Sequence, residues 1–159
     1  MTYPKPAPSA VGLSVPDFTV PATGGEFTLS ACRGKSVVLY FYPKDNTPGC
    51  TTQAQQFRDL HDQFVKANCV VVGVSRDALK SHESFKTKLG LPFELISDIE
   101  GVLCRMFDVV KNKMLYGKKV LGIERSTFLI DASGALRQEW RSTKADGNAA
   151  AVLDAVRRL

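Results

Sequence analysis

Val37-Val-Leu-Tyr-Phe-Tyr42, then Pro43-Lys-Asp-Asn-Thr-Pro-Gly49, then Cys50: the reading of this stretch decides the fold. Its first six residues are apolar at every position, the pattern of a central strand covered on both faces. The next seven are rich in Pro, Asn and Gly, so they turn the chain rather than extend the strand. From there Cys50, Ala54, Phe57, Leu60 and Phe64 recur at three- to four-residue spacing with polar residues between them. That period predicts a helix from Cys50 to about Ala67.

Downstream, Val70–Ser75 reads as a second buried strand and Leu79–Leu89 as a helix. Glu94–Ser97 reads as a short extended piece and Val102–Val109 as a short helix. Thr127–Asp131 and Leu136–Arg141 flank the turn Ala132-Ser133-Gly134. Asn148–Leu159 is a closing amphipathic helix with Ala151, Val152, Ala155 and Val156 on its apolar side. Upstream, Asp17–Val20 and Glu26–Leu29, separated by Pro21 and Gly24-Gly25, read as a hairpin. Residues 1–16, rich in Pro, Ala and Ser, read as an N-terminal arm. Strands alternating with helices predict one α/β domain over 1–159: a three-layer, thioredoxin-like fold with a mixed central sheet flanked by helices and an N-terminal hairpin.

Composition fits that expectation and excludes other classes. With 159 residues, 44% hydrophobic and 23% charged, the chain is neither disordered nor a coiled coil. Such a length buries about two-thirds of the unfolded surface, so folding needs no metal or disulfide staple. No apolar run approaches the roughly 18 residues of a membrane span. The opening MTYPKPAPSAVGLSVP has one Lys and no continuous apolar core, so no secretory signal is expected and a cytoplasmic location is. The net charge of +5 is scattered. Its densest group, Lys111, Lys113, Lys118 and Lys119, has no interleaved aromatic ladder, so nucleic acid is not an expected partner, nor is a membrane.

Four cysteines, Cys32, Cys50, Cys69 and Cys104, form no CxxC and no zinc-ligand spacing. Cys50 stands apart because it falls in the first turn of a helix. There the free N–H groups and the positive end of the dipole stabilise an anion and favour the thiolate, which is the nucleophile. Thr47 lies three residues earlier, close enough for its hydroxyl to meet the sulfur. A dithiol oxidoreductase needs C-x-x-C at this junction; here Thr47-Pro-Gly-Cys50 has a hydroxyl in place of the first sulfur. One activated thiol beside a hydroxyl suits attack on a small polar electrophile such as a peroxide O–O bond.

Pro43-x-x-x-Thr47-x-x-Cys50 resembles the active-site signature of the peroxiredoxins, and the wider text resembles the bacterioferritin comigratory protein or peroxiredoxin Q group. The stretches that carry the likeness are LYFYPKDNTPGCTTQAQQFRDL, VVGVSRDALKSHESF, LISDIEGV, FDV and YGKKVLGIERSTFLID, in order from Leu39 to Asp131. The resemblance implies that Cys50 is the peroxidatic cysteine, which attacks the peroxide and becomes a sulfenic acid. It implies that the Thr47 hydroxyl binds the peroxide oxygen and the thiolate, and that Pro43 shields the pocket from water. By the same likeness Arg125, in GIERSTF, holds the thiolate and polarises the peroxide. Substrates would be hydrogen peroxide and small organic hydroperoxides, with electrons from thioredoxin, glutaredoxin or a small thiol. No metal, haem or flavin is implied, and a monomer or weak dimer is expected.

The chain departs from many of these relatives in one respect. Where they carry a resolving cysteine five residues after the first, it has Gln55; where others place one in the next helix, it has Phe85-Lys86-Thr87. Cys69 and Cys104 read as small buried hydrophobes and Cys32 as part of a connecting segment. The expectation is a one-cysteine cycle completed by an external thiol, with Cys32 or Cys104 the resolver in the other case. His61, eleven residues beyond Cys50 and about 16 Å along one helix, is too distant to be its base. His82 reads as a helix-start residue beside Asp77, Asp98 and Glu100 as a turn, and Trp140, Tyr42 and Phe41 as packing. A peroxide-responsive redox sensor or thiol-regulated binding protein is the alternative reading; a disulfide reductase is disfavoured by Thr47.

Overall fold

A computed structural model of the chain describes residues 11–159. The strand at the heart of the sequence reading is β3, Ser36–Phe41, and all six of its residues are buried. It is flanked in parallel by β4, Cys69–Ser75, and antiparallel by β8, Ser126–Ile130. Outward from β4 lie β5, Glu94–Ser97, then the hairpin of β1, Thr19–Ala22, and β2, Gly25–Thr28. Outward from β8 lies β9, Leu136–Trp140. The resulting seven-stranded sheet runs β2-β1-β5-β4-β3-β8-β9 and is mixed, with the parallel trio β3, β4 and β5 at its centre.

Successive β3 side chains point to opposite faces and seed two cores. Val38 and Tyr40 join Tyr42, Phe57, Phe64, Phe85 and the buried stripe of the last helix on one side. Val37, Leu39 and Phe41 meet Leu103, Met106 and Phe107 on the other. Gly73 makes room for the first of these cores. A Cβ there would lie 2.8 Å from Leu95 Cδ2 and 2.9 Å from the Tyr40 ring, which instead stacks on Phe57 at a centroid distance of 4.5 Å.

The helices are α1, Pro48–Asp59; α2, His61–Lys66; α3, Leu79–Leu89; α4, Val102–Met106; and α5, Asn148–Arg157. Several depart from the sequence reading. The expected helix from Cys50 to Ala67 is divided at Leu60 (φ −98°, ψ 0°), a bend that brings Phe57 and Phe64 into contact at 5.8 Å. His61 therefore lies on a different helix from Cys50. The short helix ends at Met106 rather than Val109. The buried stripe of α5 holds the expected Val152 and Val156 with Ala149 and Leu153, and Ala155 packs partly buried beside it; the expected Ala151 is exposed. Pro21 sits inside β1, and the hairpin turns at Thr23-Gly24.

Residues 1–10 of the expected arm lie outside the described residues. Its remainder is docked: Ser14 bridges to Ala135, and Gly12 and Val15 donate backbone hydrogen bonds to Leu136 and Gly134. The chain also holds a second hairpin that the sequence reading does not contain, β6 (Val110–Leu115) paired with β7 (Lys118–Ile123), which carries the lysine cluster. No helix among the described residues is long and apolar enough to cross a membrane.

Candidate active site

Thr47 is the N-cap of α1, Pro48 its first residue and Cys50 its third. Proline is suited to that first position because the N–H it lacks would find no partner inside the helix anyway. The Gly49 and Cys50 N–H groups belong to the same first turn, whose donors have no partner within the helix and face outward as a local positive end. Cys50 is 1% exposed.

Arg125 comes from the residue before β8. Because β8 runs antiparallel to β3, with Ser126 opposite Phe41, the guanidinium is delivered to the end of β3 from which the Cys50 loop departs. Its Nη2 lies 3.4 Å from Cys50 Sγ and its Nη1 donates to Gln53 Oε1 at 2.6 Å. Gly49 permits this approach: a Cβ there would stand 3.1 Å from Nη2. Gln53 is itself fully buried and donates from Nε2 to Asn148 Oδ1 at 3.0 Å. The site thus sets a buried sulfur beside a helix N-terminus and a fixed cation; burial alone disfavours a thiolate, while the other two features favour it and the charge that leaves it during attack.

Residues 11–139 match the AhpC/TSA family. The chain belongs to that family. It is 51% identical over 142 residues to Peroxiredoxin Bcp of Xanthomonas campestris, covering 89% of each chain. It is 47% identical over 150 residues to Peroxiredoxin Bcp of Bacillus subtilis, covering 94% of this chain and 96% of the relative. Among solved structures, Xanthomonas campestris Peroxiredoxin Q superposes with a TM-score of 0.87 at 48% identity, covering 93% of this chain and 97% of that one. Another, of the bacterioferritin comigratory protein of the same organism, matches with TM-score 0.87 and 47% identity over 94% and 98% of the two chains; it was solved in connection with that protein's alkyl peroxide reduction activity. The chain is accordingly a peroxiredoxin of the Bcp and Q group, a thiol-dependent peroxidase with the expected thioredoxin-like fold.

The other residues expected in the peroxiredoxin site, Pro43 and Thr47, precede Cys50 in the loop from β3. Pro43 lies two residues beyond β3 and is half-buried. The Thr47 hydroxyl donates to the Lys44 carbonyl at 2.8 Å, which leaves its oxygen lone pairs to accept from another donor. Tyr40 ends in a fully buried hydroxyl that has no hydrogen-bond partner among the described residues. Burial, then the nearby Cys50 and Asp45, push this phenol well above the ordinary tyrosine value, so it stays neutral.

The loop between β3 and α1 hangs on Asp45. Its N–H donates to Asp77 at 3.0 Å, while its carboxylate accepts from Tyr42 at 2.6 Å and Ser81 at 2.8 Å and faces His82 Nδ1 at 2.7 Å. Burial pushes the Asp45 carboxyl up, but the bonds from His82 and Tyr42, the His82 charge and the Ser81 bond outweigh it and leave the group below the ordinary value. His82 stands in the first turn of α3, as expected, and is fully buried. Its Nε2 faces the Ile96 carbonyl at 2.9 Å, so both nitrogens meet acceptors and the ring ties α3 to the loop and to β5. The ligand atoms of Asp45, Asp77 and His82 lie within 4.8 Å of one another, yet these hydrogen bonds already engage them. Asp98 is a buried cap rather than only a turn, accepting from the N–H groups of Leu103 and Cys104.

All four cysteines are free thiols. Cys69 is opposite Ser36, at the far end of β3 from the Cys50 loop, about 16 Å away along the strand. Burial pushes its thiol up to about 12. Cys32 precedes the same far end, and burial, offset in part by Lys35, raises its thiol as well. Cys104 belongs to the core on the opposite face of the sheet from Cys50, where burial and then Asp98 raise its thiol. Gln53 and Asn148 were missing from the sequence reading. The only signal for Gln53 was its position three residues after Cys50, which places both on one side of α1.

Proposed function

We propose that the peroxidatic cysteine is Cys50 and that the protein reduces hydrogen peroxide and small organic hydroperoxides in a one-cysteine cycle. The observation that carries this reading is the Arg125 guanidinium 3.4 Å from a buried sulfur in the first turn of α1. The Cys50 thiolate attacks one peroxide oxygen. The S–O bond forms as O–O breaks, and the departing oxygen takes a proton to leave as water or an alcohol. Sulfur is oxidised to the sulfenic acid and the peroxide is reduced. Arg125 holds the thiolate and then stabilises charge moving onto the leaving oxygen. Thr47, with its proton on Lys44, offers a lone pair to the peroxide O–H, and Pro43 limits entry of water.

The other three thiols lie at the far end of the strand or across the sheet, beyond the roughly 7 Å between Cα atoms that a disulfide spans. An external thiol therefore condenses with the sulfenic acid to a mixed disulfide, releasing water, and a second external thiol attacks it, forming a disulfide between the two external thiols and releasing Cys50 as the reduced thiol. Thioredoxin, glutaredoxin or a small thiol would serve, in the cytoplasm, where such thiols are kept reduced. We read the protein as a monomer or weak dimer. The test is peroxide consumption with a thiol reductant. Cys50→Ser should abolish it, and Arg125→Ala should slow oxidation of Cys50 by about 10²-fold or more, the loss expected for one charge-stabilising donor. Unchanged kinetics in Arg125→Ala would remove that residue from the mechanism.

A further inference from the structure

The amide of Gln53 can face Arg125 in two ways, and only one serves the site. A guanidinium is donor-only, so Gln53 must turn its oxygen toward Arg125 and its NH2 group away. The group that receives that NH2 is Asn148 Oδ1, at 3.0 Å, on the first residue of α5. The same oxygen accepts from the Thr127 hydroxyl at 2.8 Å, and Asn148 Nδ2 donates to Thr143 Oγ1 at 3.4 Å. Thr143 in turn gives its N–H to the Arg125 carbonyl at 2.9 Å. Asn148 is 3% exposed and Gln53 and Thr127 are fully buried, so no bulk water can substitute for a lost partner.

We propose that Asn148 is a positioning residue for the peroxidase reaction: it fixes the orientation of the Gln53 amide so that an acceptor, not a donor, meets Arg125, and thereby aims the guanidinium at Cys50. Asn148 touches neither the sulfur nor the peroxide. It holds both ends of Arg125, the side chain through Gln53 and the backbone through Thr143. Without it, a buried NH2 group of Gln53 has no acceptor, and the amide gains by turning toward other partners and repelling the guanidinium. The inference rests on the roles proposed for Cys50 and Arg125.

The test is the rate at which peroxide oxidises reduced Cys50, set beside its rate of alkylation by a haloacetamide, which needs the thiolate but no leaving-oxygen stabilisation. Asn148→Leu should slow the peroxide reaction by about 10- to 100-fold, as for residues that orient a reacting group, and slow alkylation much less. Adding Gln53→Glu to Asn148→Leu should restore most of the peroxide rate, because a carboxylate presents an acceptor to Arg125 in either orientation. A purely structural role for Asn148 predicts no such rescue. An unchanged peroxide rate in Asn148→Leu, or equal losses in both reactions without rescue, would overturn the proposal. If Asn148→Leu does not fold, Thr127→Val decides: removing the second donor to Oδ1 should lower the peroxide rate several-fold, and no change would overturn it. Failure of the underlying assignment looks different, since Cys50→Ser would then still consume peroxide.

Discussion

Cys50 is buried in an apolar core, a place where a lone thiol would ordinarily be inert; the role proposed for it draws on its place in the first turn of α1 and on Arg125 Nη2, 3.4 Å from its sulfur. Cys69 is buried as well, and burial pushes its thiol up to about 12. A second residue-scale consequence concerns Tyr40. Its hydroxyl is buried without a partner among the described residues, a cost of about 1–3 kcal/mol. Tyr40→Phe should therefore stabilise the fold by about 1 kcal/mol and raise Tm by about 2–4 °C in thermal unfolding. A drop in Tm would mean that the hydroxyl is engaged after all.

At the scale of elements, the loop from Pro43 to Thr47 is held as one unit by Asp45, through Tyr42, Ser81, His82 and Asp77. Because the folded state lowers the Asp45 carboxyl below its ordinary value, its contribution is complete above the ordinary carboxylate range. It is lost as pH falls through the lowered value. Urea unfolding across the acid range should show Asp45→Asn less stable than the parent at neutral pH by about 1–3 kcal/mol, the cost of leaving buried donors without their acceptor. The difference should shrink as the medium becomes more acidic; a gap that widens with acid would contradict the assignment. The elements around this loop were legible in the sequence, since an all-apolar run, a Pro/Gly loop and a helical period each have one simple reading. The β6–β7 hairpin was not. Its turn, Tyr116-Gly117, has positive φ at both residues (51° and 77°), the geometry of a two-residue hairpin turn, but tyrosine is a poor advertisement for that conformation. The bend at Leu60 was hidden for a related reason: a helical period runs unbroken through it and only packing reveals it.

Over the whole molecule, the sheet order brings together groups remote in sequence. Arg125 reaches Cys50 because β8 lies against β3, and Asn148 reaches Gln53 because α5 packs on α1. Cys50, Thr47 and Pro43 could be picked out from one contiguous motif, and Arg125 from family likeness. Gln53 and Asn148 could not, because an amide acquires meaning only from its partners in space. The same architecture separates the thiols: Cys50 lies at one end of β3, Cys32 and Cys69 at the other, and Cys104 beneath the opposite face. A peroxiredoxin so arranged should stop at the sulfenic acid until an external thiol arrives, and further peroxide should carry it up the oxidation ladder. The most direct test is the intact mass of the reduced protein after one equivalent of hydrogen peroxide, followed by peptide mapping. The account predicts the gain of one oxygen, located on Cys50. Loss of two hydrogens, with a mapped disulfide from Cys50 to Cys32 or Cys104, would contradict it.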